Sequence, residues 1–140
     1  MPDFAIDAAP GLIKRERGQA AVTATGYVGT RWNQGGAVAT DFLAVINIEA
    51  VKTSAANETY AFALVGYNNA DRSDATVLGT STFGAAATAL ETVLPAAGDR
   101  LTIKGRTEKK TNAYRYVDLH LTVGGTSPSI TFNAFLTRDH

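Results

Sequence analysis

The sequence predicts an all-β fold, an antiparallel sandwich or barrel of about seven or eight short strands. Three observations predict it. A set of 13 glycines, many threonines and an apolar content of 45% drawn mostly from Ala, Val, Leu and Ile favour short strands and turns over long helices. Period-two alternation recurs, most clearly over residues 117–123. Turn-forming clusters separate the alternating stretches at short intervals. A chain of 140 residues suits one domain with a sizeable core. Residues 20–140 are read as that domain, and residues 1–19 as an extended N-terminal arm.

The arm mixes Pro2, Pro10, Gly11 and Gly18 with Phe4, Ile6, Leu12 and Ile13 and has no clean period of either kind. Phe4 and Ile6 are poorly placed in water and suit anchoring on a partner. "AAVTATGYVG" at 20–29 is the first expected strand, and "TRWNQGG" after it reads as a loop that carries Arg31 and Trp32. "DFLAVINIEAVK" at 41–52 sets Phe42, Ala44, Ile46, Ile48 and Ala50 on one face, with the other face turning polar at Asn47 and Glu49. "TYAFALVGYN" at 59–68 is apolar on both faces, which suits a central strand covered on each side.

"NNADRSDA" is rich in turn formers and reads as a surface loop, followed by a short strand "TVLGTSTF". "TALETVLPAAG" fits a strand or a single helical turn equally well. "RLTIKGR" and "AYRYVDLHLTV" are joined by "TEKKTN", a polar connection of hairpin length. In the second of these, Val117, Leu119, Leu121 and Val123 alternate with Asp118, His120 and Thr122, so the latter are expected on a wet face. The last strand sets Ile130, Phe132, Ala134 and Leu136 on its buried face, and with its predecessor forms the strongest expected strand pair.

Net charge is zero, from 13 basic and 13 acidic residues, which argues against a nucleic-acid coat. The charges are segregated. The bases Arg100, Lys104, Arg106, Lys109, Lys110 and Arg115 face Glu108 alone over residues 100–115, which reads as a solvated hairpin tip or as a docking patch for an acidic protein surface. No stretch approaches a membrane span, and the start lacks a signal-peptide core, so synthesis in a cytoplasm is expected.

Reactive groups are scarce. There is no cysteine, hence no thiolate nucleophile or thiolate zinc ligand, and the two histidines are His120 and His140. Asp118 and His120 share a strand face but offer two metal ligands with no visible third. "NADRSDAT" resembles a calcium loop only in Asn69, Asp71 and Ser73, and lacks the glycine and glutamate that such a loop needs. The glycines at 26, 29, 35 and 36 do not spell a phosphate loop. No catalytic residue, metal or cofactor is expected. Tyr27, Trp32, Tyr67, Tyr114 and Tyr116 suit either core packing or an aromatic face for sugar or protein.

From residue 59 onward the order of pieces is a covered strand, a polar loop, "TVLGTS", an Ala-rich stretch ending "LPAAGDR", and "YRYVDLHLTVGGTSPSITFNAFLT". This resembles the small jelly-roll capsid cement, or decoration, proteins of tailed bacteriophages, in particular podophages. The arm is longer than that pattern. The resemblance implies a jelly-roll-like sandwich without catalytic residues, made in the host cytoplasm and placed on the outside of the virion head. Its implied partners are the major capsid protein and further copies of itself, as homodimers or homotrimers at capsid symmetry axes. The residues expected to make those contacts are Phe4, Ile6, Arg31, Trp32, Lys104, Arg106, Lys109, Lys110, Tyr114, Arg115 and Tyr116. The alternative is a carbohydrate-binding β-sandwich module that stacks sugars on Trp32 and the tyrosines.

Overall fold

Two four-stranded antiparallel sheets face each other in the computed structural model, which describes residues 13–52, 58–84 and 96–138. One sheet contains, in spatial order, β1 (Ile13–Arg15), β10 (Ile130–Arg138), β3 (Asp41–Val51) and β6 (Arg100–Arg106). The other contains β2 (Gly26–Asn33), β9 (Tyr116–Gly124), β4 (Thr59–Tyr67) and β5 (Thr76–Gly84). A small hairpin of β7 (Glu108–Lys109) and β8 (Asn112–Ala113) lies between β6 and β9.

The pairings nest. β4 pairs with β5, β3 with β6, β2 with β9 and β1 with β10, as in one long folded ribbon whose bend is the β4–β5 loop. Wrapping that ribbon sends alternate pairs to opposite sheets and brings β10 onto β3 and β9 onto β4. This is jelly-roll wiring. The all-β antiparallel sandwich expected from the alternation is the observed fold.

Alternation decides which side of each strand is buried. Phe42, Ala44, Ile46 and Ile48 of β3 and Ile130, Phe132, Ala134 and Leu136 of β10 meet Tyr60, Phe62 and Leu64 of β4 and Val117, Leu119 and Leu121 of β9 in the interlayer. Each large side chain buried there contributes about 1.5–3 kcal/mol. Rings lock the two layers edge to face: Phe62 meets Phe132 at 5.1 Å and Trp32 meets Phe42 at 5.8 Å. The Tyr60 hydroxyl donates to the Lys52 carbonyl and accepts from the Ser129 N–H at 3.0 Å, pinning β4 to the ends of β3 and β10.

Several expectations are corrected. The first strand begins at Gly26 and runs on to Asn33, so Arg31 and Trp32 are strand residues and not loop residues. The turn comes later, where Gly35 takes φ 87° and donates its N–H to the Asn33 side chain. The expected hairpins linking 100–106 to 113–123, and 117–124 to 130–137, do not form, because β6 and β10 lie in one sheet and β9 in the other. Alternation reports a buried face without naming the neighbouring strand. Residues 13–15 of the expected arm form β1 on the edge of β10, where Arg15 Nε donates to the Phe132 carbonyl at 3.1 Å. Phe4, Ile6 and Leu12 of the arm, and most of "TALETVLPAAG", lie outside the described residues.

Among the described residues, no helix is long and apolar enough to cross a membrane. At one open side of the sandwich the edge strands β5 and β6 close on each other. A methyl group added to Gly79 would lie 2.7 Å from the Lys104 carbonyl oxygen and 2.8 Å from the Ile103 side chain. That approach shields two strand edges that would otherwise offer unpaired backbone groups to other chains. Gly79→Ala is therefore expected to destabilise the fold by about 1–3 kcal/mol in urea unfolding. Gly36→Ala, which has open space around the added carbon, serves as the control and is expected to shift stability by less than about 0.5 kcal/mol.

Candidate functional site

Side chains that alternate away from the interlayer make the outer faces of the two sheets, and the two faces differ. On the β1-β10-β3-β6 sheet the polar groups satisfy one another. Arg100 donates to Asn47 at 2.9 Å, Asn47 to Asn133 at 2.9 Å, and Asn133 to Glu49 at 3.2 Å. On the β2-β9-β4-β5 sheet, cations and rings meet with few acids. Tyr27 and Arg31 come from β2, Tyr116, Asp118 and His120 from β9, and Tyr67 from β4, with Arg115 just before β9.

These groups form a ladder. Tyr67 and Tyr116 stack at 5.3 Å, as the register pairing those two residues requires. The Arg31 guanidinium lies 4.8 Å from the Tyr116 ring centre and 5.2 Å from that of Tyr67, and Arg115 lies 5.2 Å from Tyr116. Arg72, from the β4–β5 loop, covers Tyr27 at 4.1 Å, and Tyr27 meets His120 edge to face at 4.9 Å. Each cation over a ring is worth about 0.5–2 kcal/mol, depending on how far it is desolvated.

One carboxylate anchors the ladder. Asp118, read from alternation as wet, is 2% exposed. Its Oδ2 accepts from the Tyr67 hydroxyl at 2.6 Å, from Arg72 Nε at 2.9 Å and from Arg72 Nη2 at 2.7 Å. A buried carboxylate persists only when charge and donors compensate it, and Arg72 and Tyr67 supply both. Arg72 reaches it from a left-handed backbone, φ 63°, in a loop braced by its own acids. Asp74 accepts from the N–H groups of Asn68 and Asn69, and Asp71 from that of Ser73. Asp71, the carboxylate of "NADRSDAT" that suggested calcium, thus caps a backbone donor.

Beside the ladder lies an open depression of about 320 Å³, lined by Ala63, Val65, Ala75 and Val77 together with Tyr27, His120 and two threonines. Tyr27 is 41% exposed and Val77 44%. The cations nearby are not neutralised alike. Arg72 is held by Asp118, whereas Arg31 donates to the Ala70 carbonyl and Arg115 to the Asn33 side chain. Neither Arg31 nor Arg115 meets a carboxylate among the described residues.

The sequence-predicted contact residues do not gather at one place. Arg31, Arg115 and Tyr116 come together in the ladder. Lys109 reaches the β5 edge, donating to the Val77 carbonyl at 3.1 Å, and Lys110 occupies the β7–β8 turn at φ 58°. Lys104 is on the exposed side of β6 in the other sheet, and Arg106 there is held by Asp41 at 2.8 Å and Glu108 at 3.0 Å. Trp32, at 7% exposure, and Tyr114, at 5%, are core residues and not surface contacts. Trp32 alternates inward beside Val28, and the Tyr114 hydroxyl sits 3.1 Å from that of Thr76.

Sequence reasoning missed Arg72 and the role of Asp118. The available signal was Arg72 itself, one of two bases, with Lys52, in the acidic stretch 41–99. Among the described residues no group of three His, Cys, Asp or Glu could hold a metal ion. The Asp118 carboxylate is engaged by Arg72 and Tyr67.

No family model matches the chain, and no curated protein does. Among solved structures the chain is similar to the CBM22-1 and GH10 modules of a Clostridium thermocellum endo-1,4-β-D-xylanase complexed with xylohexaose, at TM-score 0.41 and 13% identity. The match covers 93% of this chain and 28% of that one, so the chain spans less than a third of its length. A likeness that distant carries no argument about what this chain binds.

The ladder has a titration signature. Burial, and then the hydrogen bond to Asp118, push the Tyr67 hydroxyl up to about 12. An unfolded tyrosine ionises near pH ~10, so the unfolded state releases its proton first and stability falls as pH rises from about 10 towards 12. Tyr67→Phe should flatten that fall without abolishing it, since burial also raises Tyr60. Urea midpoints measured from pH ~8 to ~11.5 check this, and an unchanged pH slope in the variant would contradict it.

Proposed function

We propose that the chain is a viral structural protein, a capsid cement protein that binds the outside of a phage head and stabilises contacts between major capsid protein subunits. The observation that carries the reading is the outer face of the β2-β9-β4-β5 sheet, where Arg31 and Arg115 lie within 4.8 and 5.2 Å of the Tyr116 ring centre and meet no carboxylate among the described residues. Arginine and tyrosine concentrate energy at protein interfaces, and a guanidinium already held beside a ring loses less freedom on binding than a free one. The resemblance of residues 59 onward to jelly-roll cement proteins supports the same reading.

A cement protein works by area and repetition. Dimers or trimers set at symmetry axes engage several capsid subunits at once, so the second and third contacts form at high effective concentration and each can be modest. Zero net charge with local cationic patches suits that work, because complementary patches orient the partners while apolar burial holds them. Lys109, which reaches the Val77 carbonyl on the β5 edge, adds a cation at the lining of the depression.

The carbohydrate reading draws less support. A stacking platform needs open ring faces, and Trp32, Tyr67 and Tyr114 are buried, Tyr67 and Tyr116 stack on each other, and the exposed Tyr27 ring already carries Arg72 at 4.1 Å. Quantitative mass spectrometry of virions from the phage that encodes this chain tests the proposal. The expected result is a copy number stoichiometric with the major capsid protein; absence of the chain from the particle would overturn it.

A further inference from the structure

Strand register brings two arginines of the β2-β9-β4-β5 face to one ring. In β2, Trp32 turns inward, so Arg31 and Asn33 share the outer side, and Asn33 pairs with Tyr116 of β9. Arg115 precedes Tyr116, and its Nε donates to the Asn33 side chain at 3.0 Å. The guanidinium carbons of Arg31 and Arg115 thus both lie within 5.2 Å of the Tyr116 ring centre.

Neutral groups fix these cations without neutralising them. Arg31 Nη2 donates to the Ala70 carbonyl at 3.0 Å, and the Asn33 oxygen that holds Arg115 also accepts from the Gly35 N–H. A guanidinium carries several N–H donors, and among the described residues each of these two uses one of them. Asp71 follows Ala70 but accepts from the Ser73 N–H, and Asp118 is engaged by Arg72 and Tyr67, so neither forms an ion pair with Arg31 or Arg115. Arg115 is exposed, and Arg31 and Tyr116 are half-buried, which leaves the site open to a ligand from solvent.

The chemistry of that ligand follows from the donors. A carboxylate has two oxygens, each able to accept from a guanidinium at about 2.7–2.9 Å, so one group can be shared by two forks gathered at a single ring. The ring keeps water from part of each cation, which strengthens such a pair relative to one in bulk water. A phosphate dianion suits the place less well. Asp71 and Asp74, in the loop that holds Arg31, and Asp118, bonded to Tyr67, offset much of the longer-range field of Arg31, Arg72 and Arg115.

We infer that Arg31 and Arg115 form a clamp for a single carboxylate, the side chain of an aspartate or glutamate on a partner protein, with Tyr116 behind it. The choice of a protein as the source rests on the proposed function, which the clamp deepens by naming what the partner supplies at this face. The clamp itself stands or fails in the free chain.

Nitrogen-15 NMR of the arginine Nε–H groups in the full chain tests it, with sodium acetate as the probe and sodium chloride at equal ionic strength as the reference. The Arg31 and Arg115 signals are expected to shift together and saturably, at acetate concentrations at least about tenfold below those that move Arg17, an exposed arginine with no ion pair among the described residues. Arg115→Gln, a change at an exposed side chain, should weaken the acetate response of Arg31 by about fivefold or more. Arg31→Lys should weaken that of Arg115 likewise, because it keeps the charge and loses the fork. An unchanged response at the surviving arginine would show two independent cations and overturn the clamp, as would a response no stronger than that of Arg17. Inorganic phosphate is expected to bind no tighter than acetate, and a preference for phosphate of about tenfold or more would overturn the assignment to a carboxylate. Unmoved Arg100 and Arg106 signals confirm that each variant is folded. No head is present, so failure here leaves the virion stoichiometry to be decided separately.

Discussion

The spacing between the two sheets depends on rings that bridge it. Phe62 against Phe132 and Trp32 against Phe42 set the separation at which every other inward residue must fit. Once that layer is filled with large apolar groups, close contact elsewhere requires small residues. Gly105 lies under the Phe42 ring, Gly66 under Leu78 and Tyr114, and Gly79 against the β6 backbone. The interlayer also orders the surface, since a residue turned inward commits its neighbours to the outside. Placing Val117, Leu119 and Leu121 in the core is what presents Tyr116, Asp118 and His120 together on the opposite side.

From that constraint the two outer faces take different chemistries. One is closed upon itself by Asn47, Asn133, Glu49 and Arg100 and offers few unmatched charges. The other engages the buried Asp118 carboxylate with Arg72 and leaves Arg31 and Arg115 beside rings. Asp118 therefore acts as an organiser. By holding Arg72 over Tyr27 and Tyr67 it positions the loop that supplies Ala75 to the depression, so local electrostatics shape an apolar surface nearby.

Much of the fold was legible because burial has a period. The strands at 41–51, 76–84 and 100–106 lie close to where the sequence sets them, and the central position of β4 is readable from its two apolar faces. Partner choice was not legible. β9 and β10 adjoin in sequence and alternate equally well, yet they pair in different sheets, because jelly-roll nesting is a property of the whole ribbon. The site was legible in part. Arg31, Arg115 and Tyr116 have the residue types that interfaces favour, and they do meet. Trp32 has the same character and is buried, since one residue along a strand reverses the side it faces. Asp118 defeats alternation altogether, because its burial is made tolerable by Arg72, forty-six residues away in the chain.

The central claim is that the β2-β9-β4-β5 outer face is where this protein meets other proteins on a capsid. Cryo-electron microscopy of mature heads carrying the chain tests it most directly. The account predicts jelly-roll density on the outer surface, bridging capsid subunits, with Tyr27, Arg31, Arg115 and Tyr116 turned into a contact with a neighbouring chain. Density that left this face open to solvent, with the shell gripped through Asn47 and Asn133 on the opposite sheet, would contradict it.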